Sequence, residues 1–202
     1  SGGSIIYDKA DITNISGRPL RDLRKSVQVV LQDPYSALNP RLTVGAAIAE
    51  GLIIQGICKQ EATQRAYELL SLTDLTENAF DRYPQEFSGG QRQRICIARA
   101  LALNPELLIA DEAVSALDVS IQDKILQLLT DLQKKLNFAM IFITHDLRVA
   151  RVICDEVIVM KSGKVVESGR ASEVLERPVH SYTRALVKAA LHLPETAVRV
   201  LA

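Results

Sequence analysis

LLIADEAVSALDVSIQDKILQLLTDLQKKLNFAMIFITHD, residues 107–146, is the most informative part of this 202-residue chain for its fold class. Its four opening apolar residues, 107–110, are typical of a parallel strand covered on both faces. Apolar residues then recur at Ile121, Ile125, Leu128, Leu132 and Leu136. That spacing predicts an amphipathic helix of about four turns. A second apolar run, residues 139–143, completes a strand–helix–strand unit with a right-handed crossover, which indicates an α/β fold.

The sequence before this stretch changes character twice. Residues 4–7 and the alternation over residues 27–31 predict two strands, separated by a turn at Gly17 and Pro19 and a charged segment, residues 18–25. The apolar spacing is then helical over residues 43–56, 60–72 and 91–103, and no strand-like run interrupts it. These three stretches predict an all-helical lobe inserted before the strand at residues 107–110.

The sequence after residue 146 predicts smaller elements. Residues 157–160 and 164–166 flank Ser162 and Gly163, a pattern that predicts a hairpin. Residues 172–193 have helical stretches around Pro178. The sequence shows no internal repeat that would indicate a solenoid.

Bulk composition excludes several classes of protein. Lys plus Arg and Asp plus Glu both number 24, so the formal net charge is zero and no overall field favours nucleic acid or an anionic membrane. The three cysteines have no metal-ligand spacing and are expected to be small buried hydrophobic residues. No apolar run approaches the ~20 residues needed to cross a bilayer. We therefore expect a soluble chain whose partners are recognised locally.

Polar side chains follow three of the predicted strands. Gln32, the pair Asp111 and Glu112, and His145 each stand at a strand end, so they are expected to meet at one edge of the sheet. An acid directly after four apolar residues suits Mg²⁺ bound to nucleotide phosphates, and the next acid can orient or deprotonate a water. The alternatives are a helix cap with a solvated neighbour for the acids and an incidental polar residue for His145.

A second chemical signal is FSGGQ, residues 87–91. It places a capping hydroxyl and two glycine N–H groups at the start of a predicted helix, where the helix dipole favours an anion. Two glycines also let a phosphate approach the backbone closely. The alternative is a flexible turn with an ordinary N-cap.

Four strings occur in an order that resembles the ATP-binding cassette (ABC) ATPase family. They are FSGGQRQR (87–94), LLIADE (107–112), SALD (115–118) and THD (144–146), which resemble the signature, Walker B, D-loop and switch-histidine motifs. The resemblance implies an α/β, P-loop NTPase-like ATPase core, a partial parallel sheet flanked by helices, with an inserted all-helical subdomain. It divides the chain into a partial core with the Q-loop (1–40), a helical subdomain with the signature (41–104), a core with Walker B, D-loop and switch histidine (105–170) and a C-terminal extension (171–202).

The resemblance also implies roles around ATP and Mg²⁺. Gln32 is similar to the Q-loop glutamine, which senses metal and nucleotide, and Asp111 completes the Mg²⁺ shell through water. Glu112 is implied to be the general base, and His145 to contact the γ-phosphate.

The signature residues are implied to act on a second subunit. Ser88, Gly89, Gly90 and Gln91 resemble the group that caps the γ-phosphate of ATP held by the opposite copy, and Asp118 helps join the two sites. The implied partner is therefore a second ABC ATPase subunit paired head to tail.

Longer matches resemble the importers of peptides, dipeptides, nickel and glutathione. They are QDPYSALNPR (32–41), RYPQEFSGGQRQR (82–94), DEAVSALD (111–118) and HSYTRAL (180–186). This resemblance implies transmembrane permease subunits, an indirect solute-binding protein, no nucleic acid and a peripheral place on the cytoplasmic face of the membrane. For Tyr182 and Leu186, helix packing and a role in substrate choice both stay open. The alternative function is a non-transport ABC ATPase acting on DNA or ribosomes, but only a compact helical lobe separates Gln32 from Ser88.

The sequence departs from the family at its start. A phosphate-binding loop needs G-x-x-x-x-G-K-[ST], and no such string occurs. Residues 1–12 resemble the family segment that follows this loop and its helix, so the expectation is a chain that begins late and, as given, binds ATP weakly and is inactive. The arginines at 92, 94 and 99 are expected to lie on a solvated or subunit-facing helix surface.

Overall fold

A computed structural model describes residues 2–191, and the chain divides into two compact units, Ser1–Ile141 and Phe142–Ala202. In chain order the elements up to the boundary are β1 (Ile6–Tyr7), β2 (Ala10–Asp11), α1 (Gly17–Ser26), β3 (Val27–Val30), α2 (Pro34–Ala37), α3 (Val44–Ile54), α4 (Lys59–Leu72), α5 (Gly89–Leu101), β4 (Leu107–Asp111), α6 (Val119–Leu136) and β5 (Ala139–Ile143), which crosses it. The elements after it are α7 (Leu147–Ile153), β6 (Glu156–Lys161), β7 (Lys164–Arg170), α8 (Ala171–Glu176) and α9 (Ser181–Leu191).

The main sheet has the strand order β3-β4-β5. β3 and β4 are parallel, in a register that pairs Val27 with Leu107 and Val30 with Ala110. Strand, helix and strand follow one another in β4, α6 and β5, which confirms the predicted α/β unit. Because β3 and β4 run in one direction, the residues after Val30 and after Ala110 emerge at the same edge.

The core of the first unit lies around α5 and α6. Ile125, Leu128 and Leu132 of the predicted α6 stripe are buried, together with Leu126 and Leu129, whereas Ile121 and Leu136 at its ends are partly exposed. The helix ends at Asn137, whose φ of 55° is left-handed and whose N–H donates to the carbonyl of Gln133.

Between Thr43 and Ala102 the described chain forms α3, α4, α5 and two short 3₁₀ turns, at Glu77–Ala79 and Pro84–Glu86, which are joined by turns and loops without a strand. Thr43 accepts a hydrogen bond from the N–H of Ala46 and so caps α3. This agrees with the predicted all-helical lobe. The finer division of the chain into four segments stays a prediction.

The structure corrects three expectations for the first unit. Cys58 is exposed, so only Cys96 of its two cysteines is the buried residue that was expected. Residues 18–25, expected as a turn and a charged segment, lie in α1, where Gly17 is the first residue and Pro19 falls within the first turn, the part of a helix that tolerates proline. β4 is not covered on both faces: Leu108 and Ala110 are buried, but Leu107 and Ile109 are partly exposed, since alternate residues of a strand face opposite sides.

The second unit contains the predicted hairpin. β6 and β7 are antiparallel, from the pair Glu156 and Arg170 to the pair Lys161 and Lys164. Ser162 and Gly163 form the turn with φ values of 48° and 74°, the two positive angles that a type I′ turn requires.

The start of α9 is tied to this hairpin by the residues of the HSYT string. The carboxylate of Glu167 accepts hydrogen bonds from the backbone N–H groups of Val179, at 2.8 Å, and His180, at 3.0 Å. The ammonium of Lys161 lies 4.7 Å from the centroid of the Tyr182 ring. These contacts favour the packing explanation for Tyr182. Residues 192 and 193 of the predicted helical tail lie outside the described residues.

Candidate functional site

The ends of β3 and β4 bring two of the candidate residues into contact. Gln32 lies two residues beyond β3, and Glu112 follows Asp111, the last residue of β4. The side-chain amide of Gln32 donates a hydrogen bond of 2.9 Å, from Nε2, to Oε2 of Glu112. The parallel register of the two strands therefore places an amide and two adjacent acids at one edge of the sheet.

The backbone at Glu112 has an unusual conformation. Its φ is 47°, in the left-handed region that few residues other than glycine adopt. Its carbonyl accepts hydrogen bonds from both the N–H and the hydroxyl of Ser115, each at 3.0 Å, which hold the turn after β4. Holding a residue in such a backbone conformation costs about 1–3 kcal/mol of folding free energy, and residues strained in this way cluster at active sites.

His145 lies in the second unit, two residues after β5 and two residues before the helix α7. Its neighbour Asp146 caps α7 by accepting a 2.9 Å hydrogen bond from the N–H of Arg148. The guanidinium of Arg148 also pairs with both carboxylate oxygens of Asp146, and this hydrogen bonding lowers the pKa of Asp146. Asp146 therefore fixes the start of α7, and the meeting of His145 with Glu112 and Gln32 stays a prediction.

Ser88 is the N-cap of α5, as the sequence predicts. Its hydroxyl accepts a hydrogen bond from the N–H of Gln91 at 3.4 Å, and the side-chain oxygen of Gln91 accepts the N–H of Ser88 at 3.0 Å. This reciprocal capping box holds the signature segment, residues 88–91, in one conformation. Gly89 and Gly90 form the first turn of a 13-residue helix, whose leading N–H groups lack partners within the helix.

The two glycines differ in how closely they are packed. A Cβ added at Gly90 would lie 2.6 Å from Cγ2 of Ile121 on α6, whereas one added at Gly89 would lie 3.6 Å from Cδ2 of Leu117. Gly90 therefore lets the signature helix approach α6 closely. Asp118 is the N-cap residue of α6, and its side chain makes no capping hydrogen bond. The segment that carries Asp118 thus lies directly against the signature helix.

Of the three arginines of α5, Arg92 is buried, so the expectation of a solvated surface is wrong for it; Arg94 and Arg99 are partly exposed, and a subunit-facing role stays a prediction. Arg92 is 8% exposed and donates to the carbonyls of Pro84, at 2.7 Å, and Gln85, at 3.0 Å. Its guanidinium carbon lies 3.8 Å from the centroid of the Tyr35 ring.

The other two arginines bond to earlier parts of the chain. Arg94 bonds to Thr73 and Asp74, and Arg99 to the carbonyl of Ala37. A guanidinium has five donors in a plane, which explains why carbonyls can hold these cations inside the unit. Helical spacing alone could not reveal partners that lie 20 to 62 residues away in the chain.

The donor set at the sheet edge fits Mg²⁺ bound to a nucleotide. Asp111, Glu112 and Gln32 offer carboxylate and amide oxygens, the ligand atoms that Mg²⁺ prefers. Within residues 2–191 no three His, Cys, Asp or Glu side chains are grouped as ligands of a metal ion. Mg²⁺ is commonly held by one or two carboxylates plus water and substrate phosphates, so a bound nucleotide would supply the rest. In the same part of the chain no helix is both long and apolar enough to cross a bilayer.

Comparison with known proteins gives consistent results. Residues 1–115 match the family described as ABC transporter. The chain is 51% identical over 188 residues to the glutathione import ATP-binding protein GsiA of Pectobacterium atrosepticum, covering 93% of this chain and 30% of that protein. It is 48% identical over 190 residues to a putative peptide import ATP-binding protein of Brucella ovis, covering 94% and 60%. The dipeptide transport ATP-binding protein DppF of Lactococcus lactis is 45% identical over 189 residues, covering 93% and 61%.

Two solved structures resemble the whole chain or most of it. One is cbiO1 of Clostridium perfringens, part of the ABC transporter complex cbiONQ, with a TM-score of 0.79 and 31% identity, covering 98% of this chain and 75% of that one. The other is the ATP-binding cassette MJ0796 in a dimeric post-hydrolysis state bound to ADP and Pi, with a TM-score of 0.73 and 31% identity, covering 85% and 74%. The chain spans between 30% and 61% of the length of the three sequence relatives.

Proposed function

Because this chain belongs to the ABC transporter family, we propose that it is part of the ATP-hydrolysing subunit of an importer for peptides or a related small solute, such as a dipeptide, an oligopeptide, nickel or glutathione. The observation that carries the proposal is the hydrogen bond between Gln32 and Glu112, at the sheet edge to which the Walker B-like strand leads. The subunit would sit on the cytoplasmic face of the membrane against permease subunits, and a solute-binding protein would deliver the cargo.

In this proposal Glu112 is the general base. Its carboxylate takes a proton from the attacking water, and Gln32 holds that carboxylate in place through the 2.9 Å hydrogen bond. Asp111 and Gln32 would hold Mg²⁺, which neutralises phosphate charge when it is bound with ATP. His145 would contact the γ-phosphate from the end of β5.

The signature segment has a different task in the same reaction. Ser88, Gly89, Gly90 and Gln91 present a hydroxyl and helix N-terminal N–H groups, which suit an anion. We assign that anion to the γ-phosphate held by a second ABC ATPase subunit, so two subunits pair head to tail and Asp118 helps join their sites. A dimer bound to ADP and Pi is described for the similar cassette MJ0796.

The proposal is tested with the complete gene product, meaning the polypeptide translated from the whole reading frame that contains this sequence. Phosphate release from ATP is measured with and without Mg²⁺ for the unsubstituted protein, Glu112→Gln and Glu61→Gln. Glu112→Gln keeps the side-chain shape but cannot accept the proton, so turnover should fall by about 10²- to 10⁴-fold. Glu61→Gln is the control, because it makes the same change at an exposed residue in the first turn of α4. Parental turnover in Glu112→Gln, or none in the unsubstituted protein, would contradict the proposal.

A further inference from the structure

Arg92 is a buried cation that forms no ion pair with a carboxylate among the described residues. It is 8% exposed, and what surrounds it is two backbone carbonyls and an aromatic ring. A guanidinium over a ring face is attracted by the ring quadrupole, most strongly when water is excluded. The buried guanidinium of Arg92 is therefore stabilised by its contact with the Tyr35 ring and by its hydrogen bonds to the carbonyls of Pro84 and Gln85.

Tyr35 belongs to the short helix α2, which directly follows Gln32 and Asp33. Asp33 caps that helix by accepting the N–H of Tyr35 at 2.9 Å. Arg99, two turns after Arg92 on α5, donates to the carbonyl of Ala37. The signature helix thus holds α2 at two points, one at each end.

These contacts form a continuous path between two groups of candidate site residues in the first unit, the Gln32–Glu112 pair and the signature segment. Glu112 is bonded to Gln32, which lies three residues before Tyr35. Tyr35 stacks on Arg92, which lies four residues after Ser88 on the same helix. Arg92 also bonds to Pro84 and Gln85, in the 3₁₀ turn just before the signature segment.

We propose that Tyr35 and Arg92 are positioning residues. Their stacking contact, called here the Tyr35–Arg92 link, couples the position of Gln32 beside Glu112 to the position of Ser88. The inference deepens the proposed function and rests on it for its effect on hydrolysis. Tyr35 is 65% exposed, so a protein bound over α2 can reach the ring while the ring stays on Arg92. The Tyr35–Arg92 link therefore gives a bound partner a route to both groups of candidate site residues.

The physical link is tested on the 202-residue chain by amide hydrogen exchange. Tyr35→Leu removes the ring face, and Tyr35→Phe keeps it. Loss of the stack should speed exchange about fivefold at residues 35–38 and also at residues 86–88, while Tyr35→Phe exchanges like the parent. The melting temperature should fall by only about 2–4 °C in Tyr35→Leu, because a fivefold change in exchange corresponds to about 1 kcal/mol. Unchanged exchange at residues 86–88 in Tyr35→Leu would overturn the link.

Its effect on chemistry is tested in the complete gene product. Tyr35→Leu should lower kcat for ATP about fivefold or more with KM unchanged, and Tyr35→Phe should restore it. In an Arg92→Met background, Tyr35→Leu should cause no further loss, as expected for residues that act through each other. Equal turnover in Tyr35→Leu and Tyr35→Phe, or additive losses in the double variant, would overturn the proposal. If the unsubstituted protein does not hydrolyse ATP, the proposed function fails, and exchange alone decides the link.

Discussion

The close packing of Gly90 against Ile121 leads to the most specific stability prediction. In Gly90→Ala the new Cβ would lie 2.6 Å from Cγ2 of Ile121, about 1 Å inside ordinary carbon contact. The methyl belongs to a β-branched side chain on a helix, which has one strongly preferred χ1 rotamer and cannot swing aside easily. Overpacking of this kind costs about 1–3 kcal/mol. Replacing glycine by alanine within a helix returns up to ~1 kcal/mol, so the net effect should lie between neutral and about 2 kcal/mol destabilising.

Gly89→Ala is the matched control. Its Cβ would lie 3.6 Å from Cδ2 of Leu117, an ordinary contact, so this variant should gain the helix propensity without a clash. Urea unfolding followed by circular dichroism should find Gly90→Ala less stable than Gly89→Ala by about 1–3 kcal/mol. Adding Ile121→Ala should remove the difference, whereas Ile121→Val, which keeps the branched methyl, should not. Gly90→Ala at least as stable as Gly89→Ala would refute the packing argument.

Three other changes have expected outcomes. Gln93 is fully buried and neither polar atom of its side chain has a partner among the described residues, so Gln93→Met should raise the free energy of unfolding by about 1–2 kcal/mol in urea titration; a loss of stability would show that its amide is satisfied. Burial raises the pKa of the Cys96 thiol to about 11, so iodoacetamide at neutral pH should label exposed Cys58 and reach Cys96 only in urea, and equal labelling rates would contradict the packing of α5. The hydrogen bond from Arg148 lowers the pKa of Asp146, so the stability that the ionised carboxylate contributes is present above the ordinary aspartate pKa and is lost as pH falls through the lowered pKa. Below about pH 5 the parent should therefore lose more stability than Asp146→Asn, which keeps the cap but not the charge. Parallel curves of unfolding free energy against pH for the two proteins would count against this.

The parts of the structure that sequence predicts are those with local causes. The spacing of Ile125, Leu128 and Leu132 predicts α6, and the capping hydroxyl of Ser88 predicts the start of α5, because each depends on neighbours within one or two turns. The meeting of Gln32 with Glu112 also follows, since parallel strands end at one edge.

The parts that sequence misses depend on distant partners or on shape. The stack of Arg92 on Tyr35 joins residues that lie 57 positions apart in the sequence (92 − 35 = 57), and no periodicity in the sequence indicates such a pair. The close packing of Gly90 against α6 depends on where Ile121 lies on that helix, which the sequence around Gly90 does not show. Helix α1 escapes detection because its apolar face consists of only Leu20 and Leu23, both partly exposed, within a run of charged residues.

ATP-driven pairing of the complete gene product is the sharpest test of the proposed function, because it requires both the Gln32–Glu112 edge of the sheet and the signature segment. Light scattering would measure the mass of Glu112→Gln with Mg-ATP, alone and combined with Ser88→Arg. Glu112→Gln should hold ATP without hydrolysing it and double its mass, while Ser88→Arg should abolish the dimer by placing a bulky side chain at the N-cap of α5. A Glu112→Gln protein that stays monomeric in ATP, or a dimer that Ser88→Arg leaves intact, would contradict the account.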